Sequence, residues 1–421
     1  MSRTSVLTPP EGALPARTRF AAGVGAAVSG LSRALGRGGG SVVGGRAILA
    51  VDGRALSRLA AGRSIALVSG TNGKTTTTAL LRAALETRAP VVSNALGANL
   101  PPGLASALAG GPPRAPAVLE VDEAWLGRVL EATAPRAVAL LNLSRDQLDR
   151  YNEVRRLAGS WRAALDGRPG VTVVANADDP LVAWGAALCP QVVWIGAGQP
   201  WTDDAAGCPS CGGRIRFGGA GRAWGCASCG LQRPALDVTL DGAEVRGPGG
   251  WRVSLRLALP GRANRANAAV AIAVASVLGV EPATAAAAMS AVSEVAGRYA
   301  TVAAAGRRAR LLLAKNPAGW LEALDVLRPP PAPVVVAINA RVADGRDPSW
   351  LWDVPFERLR GRVVVATGER SRDLAVRLRY AGVDHRRLPD PVDAIAAVDG
   401  DVVDVVANYT SFQALRARLA R

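Results

Sequence analysis

A short apolar run, Ser64-Ile-Ala-Leu-Val, leads into Gly70-Thr-Asn-Gly-Lys-Thr-Thr, after which Thr75 to Leu85 repeat apolar residues at helical spacing. Few folds accommodate strand, glycine loop and helix in this order. The loop's N–H groups and the unpaired N–H groups of the helix's first turn must face one point beyond the strand. That point suits the phosphates of ATP, with Lys74 expected to reach the terminal phosphates and Thr75 to hold Mg²⁺. Gly70, Thr71, Asn72, Gly73 and Thr76 complete the expected loop contacts. The longer, general phosphate loop has a glycine where this chain has Val68, so the loop is the shorter GTNGKTT form.

Strand-like runs at Ala117 to Val121, Ala137 to Leu143, Val171 to Ala175 and Gln191 to Ile195 alternate with helical stretches. This alternation predicts a parallel α/β sheet. It breaks at about 203–235, where four cysteines and many glycines intervene, and resumes with an Ala-rich helix from Asn264 to Leu278. A second α/β segment follows, with strands near Arg310 to Ala314, Val334 to Ile338, Val363 to Ala366 and Val402 to Ala407. With 421 residues the chain exceeds one hydrophobic core. The expected division is a lead-in over 1–45, an ATP-binding domain over 46–300 and a smaller C-terminal α/β domain over 301–421.

Cys208-Pro-Ser-Cys211 and Cys226-Ala-Ser-Cys229 are separated by 14 residues, and Gly212, Gly213 and Gly230 supply tight turns. This spacing predicts a zinc ribbon inserted in the ATP-binding domain. Four thiolates leave no open position for a catalytic water, so the Zn²⁺ is expected to be structural. Cys189 has no partner at metal spacing and is expected to be a buried thiol.

The net charge is +16, yet the arginines are dispersed, and no basic tract is interleaved with aromatics as nucleic-acid binding favours. No run of 18 uncharged apolar residues occurs, and the Gly- and Ala-rich stretch from Phe20 to Leu35 is interrupted by Arg33. A cytoplasmic protein is expected, with peripheral contact at the inner membrane face as an option. Of the 50 basic residues only Lys74 and Lys315 are lysines. Those two positions are expected to need the compact charge of an ammonium rather than a guanidinium fork.

The GTNGKTT loop resembles that of Mur ligases and folylpolyglutamate synthetases, and further segments extend the likeness. In Leu119-Glu-Val-Asp-Glu, Glu120 matches the Mur-ligase glutamate that helps hold Mg²⁺. Asn142, Asp146 and Asp149 match a second segment, in which Gln147 stands where a metal-binding histidine is usual. With no lysine between Lys74 and Lys315, the carbamylated lysine of many Mur ligases is absent too. Asn176-Ala-Asp-Asp-Pro and Gly261-Arg-Ala-Asn-Arg-Ala-Asn resemble two more family segments, the latter implying Asn267 as a nucleotide contact. Gly297-Arg298 resembles the pair that ends the central domain, which adds Arg298 to that set.

Leu313-Ala-Lys-Asn-Pro-Ala-Gly-Trp, Ala343-Asp-Gly-Arg-Asp-Pro-Ser-Trp, Thr367-Gly-Glu-Arg and Ala407-Asn-Tyr-Thr resemble the C-terminal domain of the MurT family. Together with the loop and the ribbon, that resemblance spans about residues 45–421. It implies a Mur-ligase central domain, and ATP-dependent amidation of the D-glutamate α-carboxylate of lipid II to D-isoglutamine. Ammonia would come from a GatD-type glutaminase subunit in a heterodimer. It also implies that one C-terminal aspartate completes the partner's Cys/His set; Asp347, then Asp353 and Asp344, are the candidates. Helix capping is the competing role for these acids. His385, the sole histidine, is expected in a surface loop. Two other functions compete: an amino-acid-adding Mur or folylpolyglutamate-type ligase, and a zinc-ribbon nucleic-acid-binding NTPase.

Overall fold

The computed structural model describes residues 14–35, 40–94, 97–145, 151–219, 223–295 and 299–419, apart from the side chains of 151–153. Three helices come first: α1 (Ala16–Ala34), α2 (Ser41–Val51) and α3 (Ala55–Ala60). An α/β unit follows, with β1 (Ile65–Ser69), α4 (Lys74–Glu86), β2 (Val92–Ser93), α5 (Pro101–Gly110), β3 (Ala117–Glu120), α6 (Leu126–Thr133) and β4 (Ala137–Leu140). It continues through α7 (Tyr151–Leu165), β5 (Thr172–Asn176), α8 (Pro180–Ala186) and β6 (Val192–Gly196). Two short strands, β7 (Ile215–Phe217) and β8 (Trp224–Cys226), pair with each other and carry the cysteine segment. The unit closes with β9 (Val238–Asp241), β10 (Glu244–Arg246), β11 (Arg252–Ser254), α9 (Arg262–Val277) and α10 (Pro282–Met289).

These strands form a nine-stranded sheet in the order β11-β10-β9-β6-β5-β4-β1-β3-β2. From β9 to β2 every pairing is parallel, and β1, β3 and β4 are wholly buried and made of Val, Leu, Ile and Ala apart from the terminal Ser69 and Glu120, as strands covered on both faces must be. One face packs α4, α9 and α10, where Ala268 to Ala275 are all buried and their small side chains let α9 lie close to α4. The other face carries α5 to α8 together with residues of α1 to α3.

The strands expected to be parallel are so, and the sheet extends beyond them by a segment that the sequence reading did not assign. Strands β9, β10 and β11 pair antiparallel, through a two-residue turn at Gly242 (φ +58) and a second near Gly249. Short alternating strands joined by glycine turns are hairpin chemistry, which the Gly-rich composition there concealed.

The second unit has β12 (Tyr299–Ala304), β13 (Arg307–Leu313), α11 (Pro317–Asp325), β14 (Val334–Ala337), β15 (Val364–Thr367) and α12 (Ser371–Tyr380). It ends with β16 (His385–Arg387), α13 (Pro391–Ala396), β17 (Val402–Ala407) and α14 (Tyr409–Leu419). The sheet order is β12-β13-β17-β14-β15-β16, with β12 antiparallel and the other pairings parallel. His385 begins an edge strand rather than a loop. In the centre of β17, Asp404 is fully buried and held by Arg310 at 3.0 Å and Arg328.

The two units meet at the carboxyl ends of their strands. Asn316 caps α11 by accepting from the Gly319 N–H at 2.9 Å, and its Oδ1 also accepts from Asn72 Nδ2 at 3.3 Å. A second link runs from Arg145 to Asp353, 3.8 Å apart.

Candidate nucleotide cleft

The loop between β1 and α4 is held by the segment after the neighbouring strand β4. Thr71 N–H donates to Asn142 O at 2.9 Å, Asn72 N–H to Asn142 Oδ1 at 2.9 Å, and Asn142 Nδ2 back to Asn72 O at 3.1 Å. Thr71 Oγ1 donates to Ser144 O and accepts from Ser144 N–H. Asn142 therefore fixes the loop's path, with one donor and one acceptor position of its amide committed to Asn72. Gly70 (φ +141) must lack a side chain, because a Cβ would come within 2.9 Å of Leu141 Cβ. No side chain caps α4, so its first N–H groups stay available to an anion.

Lys74 is buried at the head of α4, and its ammonium donates to Gly70 O, to Thr71 O at 3.2 Å and to Glu123 Oε2 at 3.0 Å. Those two carbonyls belong to the loop itself, so phosphate oxygens arriving there would compete for the same donor. Thr75 is half-buried at the second position of α4, and Thr76 is buried and lines the cleft. Glu120 ends β3 level with Val68, is 2% exposed and accepts from Asn99 Nδ2 at 3.2 Å. Glu123 is the site residue that the sequence reading missed. It lies in the same quoted segment, its carbonyl accepts from Trp161 Nε1 at 2.9 Å, and its carboxylate pairs with Lys74. Thr75, Glu120 and Glu123 offer the hard oxygen donors that Mg²⁺ takes.

Asn267, on α9, faces the loop from the other side: a Cβ on Gly73 (φ +85) would lie 2.5 Å from its Oδ1. Asn72, Gly73, Thr76 and Asn267 share one cleft with Lys315 and Glu322 from the second unit. Lys315 sits 5.1 Å from the Tyr409 ring centroid, a cation–π contact. Asp178 and Asp179, which follow β5, are both fully buried. Asp178 accepts from the Ala197 and Gly198 N–H groups at 2.8 and 2.6 Å and pairs with Arg233. Asp179 caps α8, accepts from Leu143 N–H at 2.8 Å, and is pushed up to about 6 by its complete burial. Arg298, Asp146, Gln147 and Asp149 lie outside the described residues.

The sulfurs of Cys208, Cys211, Cys226 and Cys229 all lie within 4.8 Å of one another, and two of the pairs are 3.6 Å apart. Tetrahedral zinc with sulfur ligands at about 2.3 Å requires sulfurs about 3.8 Å apart, so the cluster fits a metal of that size. Gly213 N–H points at Cys211 Sγ and Ser228 N–H at Cys226 Sγ, both at 3.4 Å. The Ser228 N–H draws the Cys226 thiol down to about 6, whereas burial pushes Cys208 up to about 12. Cys189 is buried apart from them.

The three candidate aspartates separate clearly. Asp344 is buried and accepts from both the N–H, at 2.8 Å, and the hydroxyl of Thr410, tying the β14 loop to α14. Asp347 is exposed, and the Ser349 N–H that it accepts at 2.9 Å holds its carboxyl below the ordinary range. Asp353 is exposed and faces Arg145, which also pairs with Asp204.

Known proteins resemble this chain in sequence and in fold. A family model described as the Mur ligase middle domain matches residues 68–206, and one described as the MurT ligase C-terminal domain matches residues 313–412. The chain is 30% identical over 434 residues to the lipid II isoglutaminyl synthase (glutamine-hydrolyzing) subunit MurT of Streptococcus pneumoniae, covering 93% of this chain and 94% of that one. The Staphylococcus aureus subunit of the same name is 30% identical over 345 residues, with coverages of 76% and 78%. Solved structures share the fold. A pseudomurein peptide ligase type C from Methanothermus fervidus has a TM-score of 0.64 at 17% identity, covering 84% of this chain and 78% of its own. MurF from Acinetobacter baumannii has a TM-score of 0.63 at 16% identity, with coverages of 89% and 80%. The chain therefore belongs to the MurT family of Mur-type ligases.

Proposed function

We propose that the chain is the ATP-using subunit of a lipid II isoglutaminyl synthase, amidating the α-carboxylate of D-glutamate in the stem peptide. The observation that carries this reading is the junction of the two units, where the loop around buried Lys74 opens onto Lys315 and Asn316 of the MurT-type C-terminal sheet. A carboxylate is a poor electrophile. Attack of its oxygen on the γ-phosphorus of ATP releases ADP and leaves an acyl phosphate. The ammonia lone pair then adds to the acyl carbon, phosphate departs, and loss of a proton from nitrogen leaves the amide. Lys74 and the N–H groups at the head of α4 hold the charge that develops on the transferred phosphoryl group. Mg²⁺, held by Thr75 with Glu120 or Glu123, would supply further neutralisation of the phosphates.

Ammonia would be delivered by a GatD-type glutaminase, since this chain has one histidine, on an edge strand, and no cysteine beside it. Exposure favours Asp347 or Asp353 as the acid shown to that partner, because Asp344 is committed to Thr410. The four cysteines would hold a structural Zn²⁺ in an inserted ribbon. No helix among the described residues is long and apolar enough to cross a membrane, and we place the subunit in the cytoplasm, in peripheral contact with the inner face.

Mass spectrometry of lipid II incubated with the chain, its glutaminase, Mg-ATP and glutamine tests the reading. One carboxyl should become an amide, and Lys74→Ala should abolish the conversion. ATP hydrolysis with no amide formed would overturn it.

A further inference from the structure

The first helix is turned inside out. Its buried residues are Thr18, Ala21, Gly25 and Ser32, small or polar, whereas Phe20, Leu31 and Leu35 are 67%, 63% and 60% exposed. The small face is used for close packing: a Cβ on Gly25 would lie 2.4 Å from Ile48 Cγ1 of α2 and 2.9 Å from Gly44 O. Thr18 Oγ1 donates to buried Asp52 at 2.6 Å, and Asp52 pairs with Arg58 at 2.9 Å. Phe20, Val24, Ala27 and Leu31, continued by the C-cap residue Leu35, then fall on a flank of the helix roughly 110° round from that buried face, at spacings of four, three, four and four residues. That is an apolar stripe of about four turns whose members are exposed apart from half-buried Val24. Val43 of α2 is 48% exposed and adds to the apolar surface of this helix pair.

Charge selects what covers it. Arg17, Arg19 and Arg33 of α1 and Arg46 of α2 are exposed, while the only acid described between 14 and 63 is Asp52, buried and paired. A helix with a large apolar face, arginines around it and no exposed acid is suited to lying in the plane of an anionic lipid surface. With three arginines in 19 residues it is too polar to span one. We propose that the outer face of α1, with Val43 and Arg46 of α2, docks the chain on anionic bilayers, the helix lying at the headgroup boundary. This deepens the peripheral placement proposed above but does not need the amidation reading, because the docking is read on vesicles that contain no lipid II.

The test is co-sedimentation of the full chain, alone and with its glutaminase, with phosphatidylglycerol-containing vesicles and with pure phosphatidylcholine vesicles. The comparison is Phe20→Ser/Leu31→Ser/Leu35→Ser, whose sites are solvent-exposed, so an unchanged melting temperature is expected. The wild type should bind the anionic vesicles, weaken with salt, and bind more tightly than the variant by at least about tenfold, because three large side chains no longer enter lipid. Equal binding by wild type and variant, or no binding by the wild type, would overturn the proposal. So would sedimentation velocity or pull-down showing that the variant loses a self-association or its glutaminase instead, since protein would then be what covers the stripe.

Discussion

Gly73→Ala isolates what the loop requires of its last glycine. Two effects act there. At φ +85 an L-residue is in the left-handed region, which costs about 1–2 kcal/mol and should lower the melting temperature by a few degrees. Separately, the new methyl would sit 2.5 Å from Asn267 Oδ1, so Asn267 must swing away from the cleft. If Asn267 hydrogen-bonds the nucleotide, its displacement removes about 1–1.5 kcal/mol of binding, roughly tenfold in affinity. Titration calorimetry with Mg-ADP on wild type, Gly73→Ala, Asn267→Ala and the double variant separates the effects. In the Asn267→Ala background the three atoms nearest the methyl are gone, so Gly73→Ala should then cost little further affinity while keeping its thermal penalty. Losses that add to within about 0.3–0.5 kcal/mol would refute the coupling, and with it the assignment of Asn267 to the nucleotide.

Asp344→Ala should destabilise the chain by about 1–3 kcal/mol, since it strands the Thr410 N–H and hydroxyl, whereas Asp347→Ala and Asp353→Ala should cost under about 1 kcal/mol in thermal melts. Of those two, the partner-facing acid is the one whose loss stops glutamine-driven amidation but spares amidation driven by added ammonia; sparing of both activities in both variants would remove these acids from the partner's site. Asp179 titrates near 6 when folded against 3.8 otherwise, so its protonated form adds stability that is complete below about 3.8 and lost as pH rises through about 6, roughly 3 kcal/mol in all. The fall in melting temperature over that window should be shallower in Asp179→Asn, and an identical slope would sink the assignment. A strong chelator should make Cys208, Cys211, Cys226 and Cys229 reactive towards a thiol reagent and lower the melting temperature; unchanged reactivity would exclude a bound metal.

Local chemistry explains what could be read from the chain. Strand β1, its loop and α4 were legible because an apolar run, a glycine turn and a helical repeat stand in unbroken order, and β17 lies where its Val-rich run places it. Glu123 was not legible as the partner of Lys74. A motif match names residue types along the strand end but not which carboxylate turns towards the loop, and Trp161, on α7, helps to fix Glu123 there. The orientation of α1 was hidden for the opposite reason. Periodicity sends the large apolar side chains inward by default. Here Gly25 against Gly44 and Ile48 gains more from close backbone approach, a preference that only the packed partner reveals.

The two lysines show how far composition reaches before tertiary structure takes over. In a chain with 48 arginines, lysine at 74 and 315 singles out two positions: Lys315 lines the cleft at the junction of the two units, and Lys74 heads the helix whose preceding loop, at Asn72 and Gly73, lines the same cleft. Lys74 shows the reason directly: its ammonium fits among Gly70 O, Thr71 O and Glu123, donors radiating from one atom into a space closed by the loop. A planar guanidinium presents five donors in a fixed fork and could not take that arrangement without moving Gly70, whose own position is limited by Leu141 and Asn142. Lys315 stacks its charge against Tyr409 while its neighbour Asn316 reaches Asn72, so the second sheet sets one ammonium beside the loop that holds the other. Composition could single out the two residues. The docking of the two sheets at their carboxyl ends brings the loop that holds Lys74 beside Lys315, and there Asn316 caps its own helix and accepts from the loop with the same oxygen, alongside the Arg145–Asp353 link.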